Sequence, residues 1–201
     1  MNAPPSDRVL ELVQSLKAAA KRGSVFHNFN PVRKPGIAAR LKAYESDLAG
    51  LDEAAWAALK NAAVRRHARM RQGDLESLCD LLNEAKGYRH LETLGCRDIA
   101  FVPATYDRKT PDLAGTLNAQ PVLCEVKTIN FTYESAPAFV AGKFTKIIAE
   151  AKAQMDAAGR KDARAIVYLI VNGGTDQLHS LLRTASFAGI EVEIFMAPAA
   201  T

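Results

Sequence analysis

The chain has 201 residues, 48% hydrophobic and 24% charged, with a formal net charge of +4. That suits a soluble globular protein with one sizeable α/β domain, or a core domain with a small helical extension. No run approaches the roughly eighteen apolar residues of a membrane span, so no membrane partner is expected.

The first residues lack a charged region followed by an apolar stretch, and no signal peptide is read there. Cys79, Cys96 and Cys124 are odd in number and without CxxC spacing. They read as reduced residues of a cytoplasmic protein, not as a disulfide frame or a zinc site. The net charge hides an asymmetry. Residues 1–73 carry 13 Lys and Arg against 6 Asp and Glu, a net +7, while residues 74–201 carry 13 against 16, a net −3. A basic arm on a mildly acidic body points to a polyanionic partner, nucleic acid above all; a solvated helix face is the other reading.

Residues 7–22 have helical spacing at Val9, Leu12, Val13 and Leu16, with Asp7 near the start and Gly23 after the end. Residues 24–36 read as loop, with two prolines and apolar anchors at Val25, Phe26 and Phe29. Residues 37–50 predict a helix closed by Gly50, and 51–73 an alanine-rich helix with Asp52 as N-cap and Gly73 as stop. The single Trp56 in that helix reads as core. Near its end stand Arg65, Arg66 and Arg69, candidate contacts to nucleic-acid phosphates or part of a solvated face.

From residue 74 the texture changes. Apolar residues at 75, 78, 82 and 85, and at 81, 88 and 91, predict a long helix ending at Gly95 despite the internal Gly87. Strands are expected at 98–104, 112–117 and 121–129, then a helix at 138–159 stopped by Gly159. The continuous apolar run at 163–172 reads as a strand buried on both faces. A helix at 175–189 and a closing strand at 190–196 complete the order. A meander followed by helical crossovers gives an α/β protein with a central mixed sheet flanked by helices. Residues 1–73 form a basic helical N-terminal region and residues 74–201 the core domain.

The chemistry concentrates in one hairpin. Side chains alternate along a strand, so Leu123, Glu125 and Lys127 share a face while Val122, Cys124 and Val126 share the other. Glu125 and Lys127 then lie about 6.6 Å apart along one side of the strand. Asp112 opens the preceding strand after Pro111, and Gly115 leaves room for a close approach. Three charges together on a sheet face are costly unless something binds them. Converging carboxylates repel unless a cation sits between them. Mg²⁺, or Mn²⁺ in its place, fits. It takes one or two carboxylates, keeps waters and substrate phosphate in its other positions, and activates a phosphoryl group or water. Lys127 would orient or deprotonate the attacking water, or stabilise charge developing at phosphorus. For each residue taken alone the plain alternative is structural: Asp112 as a turn residue after proline, Glu125 and Lys127 as the solvent face of a strand.

"PD" at 111–112, followed after twelve residues by "EVK" at 125–127, resembles the PD-(D/E)XK nuclease superfamily, the restriction-endonuclease-like fold. The resemblance covers roughly residues 74–195 and is strengthened by the motif falling on the second and third strands of the series. It implies a metal-dependent endonuclease or exonuclease that hydrolyses phosphodiesters, most members acting on double-stranded DNA. Asp112 and Glu125 would bind Mg²⁺ and Lys127 would position water. A family acid on the preceding helix would be Glu84, on the stripe of Leu81, Tyr88 and Leu91, with Glu76 as competitor. Lys143 and Lys146 begin the next helix near the expected cleft and are candidate nucleic-acid contacts; Thr128 and Gln154 face either the cleft or the framework. Many members of that family cut both strands as dimers, which leaves a homodimer open. Two other readings stand beside the hydrolytic one: a non-catalytic nucleic-acid-binding module on the same fold, and a toxin-like nuclease that cuts RNA. His27, His90 and His179 have no metal-like spacing and are read as structural.

Overall fold

The structure is a computed structural model and describes residues 7–69, 75–103, 110–130, 137–158, 162–173 and 190–196. It divides into two compact units, Met1–Arg89 and His90–Thr201.

The first unit is helical: α1 (Arg8–Ala19), α2 (Pro35–Lys42), α3 (Glu45–Ala49), α4 (Glu53–His67) and most of α5 (Leu75–Thr93). Local signals set the starts of α1 and α4. The Asp7 side chain accepts the Leu10 amide and the Asp52 side chain accepts the Ala55 amide, at 2.9 and 2.7 Å, so both act as N-caps. The single helix expected at 37–50 is instead two, broken at Ala43 and Tyr44 with neither glycine nor proline at the break. The cause is tertiary. Glu45, at the head of α3, accepts the backbone amides of Arg8 and Val9 at 2.9 and 3.0 Å and so serves as a remote cap for α1. Likewise α4 ends at His67, short of the expected stop at Gly73, which lies outside the described residues.

Arg8 is buried, only 6% exposed. Its Nη1 donates to the carbonyls of Leu48 and Leu51 at 2.7 and 2.8 Å, closing the C-terminal end of α3, and its Nη2 pairs with Glu53. Trp56 is core: its Nε1 donates to Glu11 at 2.8 Å, and the Arg8 guanidinium lies 5.4 Å from its ring centre.

The second unit is built on a five-stranded mixed sheet in the order β1 (Arg97–Phe101), β2 (Leu113–Leu117), β3 (Gln120–Asn130), β4 (Arg164–Asn172), β5 (Glu191–Met196). The first three strands form an antiparallel meander; β3–β4 and β4–β5 are parallel. This is the expected α/β class with a mixed sheet. The helix expected at 175–189 lies outside the described residues.

Entry into the sheet is shaped by Gly95 at φ +84 after the end of α5. The Gly95 amide donates to Glu92 and the Cys96 amide to Leu91, the paired bonds of a glycine-terminated helix end. β2 and β3 are joined by Asn118 and Ala119, both at positive φ, as a tight two-residue hairpin requires. The space at Gly115 is taken by β1: a Cβ there would come within 3.2 Å of the Arg97 carbonyl oxygen.

Helix α6 (Pro137–Ala157) covers one face of the sheet. Its Phe144, Ile148, Ala151 and Met155 pack on Leu123, Ile129, Val167, Leu169 and Val171. On the other face, His90 from the last turn of α5 stacks on Tyr168 with ring centres 4.7 Å apart. The middle six residues of β4 are buried, as expected of a strand covered on both faces. Among the described residues no helix is long and apolar enough to cross a membrane.

Candidate active site

The hairpin of β2 and β3 and helix α6 position the candidate residues. In the β2–β3 ladder Ala114 pairs with Leu123 and Leu113 with Cys124. The same register continued one step past the end of β2 brings Asp112 opposite Glu125. Directly opposed residues of an antiparallel pair share a face. Ala114 and Leu123 both belong to the cluster under α6, so Asp112, Glu125 and Lys127 face that same side. The shared face expected from alternation is therefore present, and it is covered by a helix. The solvent-face reading of Glu125 does not hold: Glu125 is 0% exposed.

The polar groups at this point are few and closely joined. Lys127 Nζ forms an ion pair with Glu125 Oε1, its side chain 29% exposed and so open to solvent on one side. Asp112 Oδ2 accepts the backbone amide of Val126 at 2.8 Å, and the Asp112 carbonyl accepts the Val102 amide at 2.9 Å. Gln154 reaches down from α6. Its Oε1 lies 3.5 Å from Lys127 Nζ, and its Nε2 donates to the Thr110 carbonyl at 3.3 Å. Glu125 Oε2 is buried with no hydrogen-bond partner.

The electrostatics follow from burial. Desolvation pushes the Glu125 carboxyl up to about 7, and the Asp112 charge adds to the rise; Lys127 and the Gln154 side chain oppose it. Burial also acts to depress the Lys127 ammonium, but the Glu125 carboxylate outweighs it and leaves the lysine above its usual range. The Cys124 thiol on the opposite face is pushed up by burial, then by Asp112 and Glu125, and stays protonated.

A family model, a curated protein or a solved structure that matches the chain was sought, and none was found.

The donor set suits a hard divalent cation. A carboxylate oxygen can only accept, and a buried one without a donor is rare because it forfeits a hydrogen bond. Glu125 Oε2 is in that position, and Asp112 stands just ahead of the adjoining strand. Among the described residues no cluster of three or more His, Cys, Asp or Glu forms a metal cage. An ion held by one or two carboxylates, with water and phosphate completing its shell, does not need one.

Thr128 shares the strand face of Cys124 and Val126, away from Glu125. Lys146 is exposed and lies 3.9 Å from Glu150 on the same helix, while half-buried Lys143 precedes the core residue Phe144. Glu84, half-buried, and Arg65, Arg66 and Arg69, all exposed, belong to the first unit. Glu76, also in that unit, is exposed and held by Arg40 through two bonds of 2.6 and 2.5 Å. Gln154 is the residue whose contacts most enlarge the sequence-based site. Its signal was only the helical spacing Phe144, Ile148, Ala151, Met155, which puts residue 154 beside the buried stripe.

Proposed function

We propose that the protein is a metal-dependent nuclease of the PD-(D/E)XK kind, with a restriction-endonuclease-like core, acting on phosphodiester bonds of double-stranded DNA. The observation that carries the reading is the fully buried Glu125 with an unpartnered Oε2, opposite Asp112 and joined to Lys127 on one side of a hairpin. Most buried side-chain oxygens find a hydrogen-bond donor, and this one is left open toward the Asp112 side.

Asp112 and Glu125 would hold Mg²⁺ or Mn²⁺. When bound, such an ion supplies Lewis-acid polarisation of a phosphoryl oxygen and acidifies its bound water. Lys127 enters as an ammonium, since its pKa lies above the usual range. It therefore donates hydrogen bonds that orient the attacking water and stabilise negative charge growing on the phosphoryl oxygens, and does not take the proton. Gln154 restrains the lysine by accepting near Nζ while its amide holds the Thr110 carbonyl just ahead of Asp112. Asp112 is held to β3 through the Val126 amide, which keeps both carboxylates at a set separation.

A non-catalytic nucleic-acid-binding module is the second reading, favoured by the commitment of Lys127 to Glu125 in an ion pair. Incubation with supercoiled plasmid, linear duplex, branched duplex and RNA, each with Mg²⁺, Mn²⁺ or EDTA, separates the two. Cutting of duplex that needs the metal and disappears in Lys127→Ala is expected. Cutting of RNA alone would move the substrate class. Uncut substrates under every condition would replace the nuclease with the binding module.

A further inference from the structure

Six exposed cations of the first unit stand at the C-terminal ends of α1 and α4. Helices α1 and α4 run parallel: Arg8 meets Glu53 and Trp56, and one turn later Glu11 meets Trp56 and Lys60. Lys17 follows Glu11 by six residues and Arg66 follows Lys60 by six, each an advance of about 9 Å along its helix. The C-terminal ends of the two helices are therefore level. Lys17 stands in the last turn of α1 and Lys21 and Arg22 follow it; Arg65 and Arg66 stand in the last turn of α4 and Arg69 follows it. All six are exposed.

The acids of residues 7–53 are used inside the unit. Asp7 and Glu45 pair with Lys42, Glu11 with Lys60, Asp47 with Lys86 and Glu53 with Arg8. Asp52 caps α4 and accepts the Tyr88 hydroxyl. Among the described residues none of the six end cations has a carboxylate partner. Cations at a helix C-terminus offset its dipole, which accounts for Lys17, Arg65 and Arg66 singly. It does not account for Lys21, Arg22 and Arg69, which lie past the helix ends.

We infer that the level C-terminal ends of α1 and α4 form a docking surface for the phosphate backbone of nucleic acid. The identity of the polyanion rests on the nuclease reading; the surface itself does not. Lys and Arg contacts to phosphates position a nucleic acid without reading its sequence. The unit's single tryptophan is 3% exposed and occupied by Arg8, Glu11 and Lys60, so it offers no platform for stacking bases. Docking at this surface is therefore expected to be independent of sequence and strongly dependent on salt.

The test measures duplex binding by the full chain in EDTA, where cutting does not intervene, by fluorescence anisotropy at several salt concentrations. Two unrelated duplex sequences are expected to bind within about three-fold of each other. Each phosphate contact contributes about 0.9 to the slope of log K against log salt. Replacing Lys17, Lys21 and Arg22 with Gln, or Arg65, Arg66 and Arg69 with Gln, should each flatten the slope by about 2.7 when all three contact phosphates. Replacing the three arginines with Lys should leave it unchanged, and Trp56 fluorescence verifies that each variant is folded. A wild-type slope in the six-fold Gln variant overturns the inference, as does a wild-type chain that binds no duplex. Binding with the expected slopes but without cutting in Mg²⁺ would sustain the surface and sink the nuclease reading. Cutting with slopes insensitive to both triple variants would do the reverse.

Discussion

Asp112 Oδ2 accepts the backbone amide of Val126, 2.8 Å away, and Val126 is the residue between Glu125 and Lys127. One carboxylate thus latches the strand that carries the other two charged groups. Its structural and chemical roles are separable by substitution. Asp112→Asn keeps an oxygen for the Val126 amide and is expected to preserve stability within about 0.5 kcal/mol while weakening Mn²⁺ binding at least ten-fold in calorimetry. Asp112→Ala loses both, at about 1–2 kcal/mol, because the partly buried amide is left without an acceptor. Equal Mn²⁺ affinity in wild type and both variants would remove Asp112 from the metal site.

Lys127→Ala is expected to abolish cutting while changing duplex affinity in Ca²⁺ by no more than a few-fold. The lysine acts on charge that develops only in the transition state, and such interactions raise the rate without adding ground-state affinity. Plasmid cutting at the wild-type rate would make the motif a coincidence of strand alternation.

Glu125 makes the second unit's stability depend on pH near neutrality. Its folded pKa is about 7 against an ordinary value of 4.5, so the folded state holds a proton that the unfolded state has released between those values. The stabilisation is fully present below pH 4.5 and is lost as pH rises through 7, at most about 3 kcal/mol. Urea unfolding followed by far-ultraviolet circular dichroism should show the midpoint falling between pH 5 and 8.5. Glu125→Gln should flatten that fall; an equal fall in the variant would assign it to other groups.

Arg8→Ala is expected to destabilise the first unit by about 2–4 kcal/mol. The Leu51 carbonyl would lose its Arg8 donor, the Leu48 carbonyl would keep only its local backbone donors, and the ion pair with Glu53 and the contact with Trp56 would be lost. Trp56 lies in the same unit and reports on it selectively, so its fluorescence in urea gives the midpoint directly. An exposed arginine would cost under about 0.5 kcal/mol, and a shift that small would contradict the closure of α3 by Arg8.

Much of the second unit was legible in the sequence. Alternation along residues 121–129 placed Glu125 and Lys127 on one face, and the unbroken apolar run at 163–172 marked a strand covered on both sides. Caps at Asp7 and Asp52 and the helix end at Gly95 were equally plain. Other features carried weak signals or none. Asn118 and Ala119 form a turn that prefers glycine at its second position, so the hairpin connection has an unfavourable residue at φ +66. Arg8 reads as one more basic residue of the arm, yet it is buried in the first unit's core.

What the sequence determined by itself is the content of each element and the face on which its side chains lie, because helix and strand periods are properties of the local backbone. Tertiary structure decided what those faces meet. It broke the expected helix at 43–44 because Glu45 caps a helix that begins 37 residues earlier. It brought Gln154 of α6 over a lysine 27 residues away and left Glu125 Oε2 buried without a donor. It set α1 and α4 side by side in one direction, so that two basic segments far apart in the chain end together. These outcomes depend on which apolar surfaces pack against one another over long sequence separations. The energies involved are sums over many contacts, which no single stretch of residues encodes.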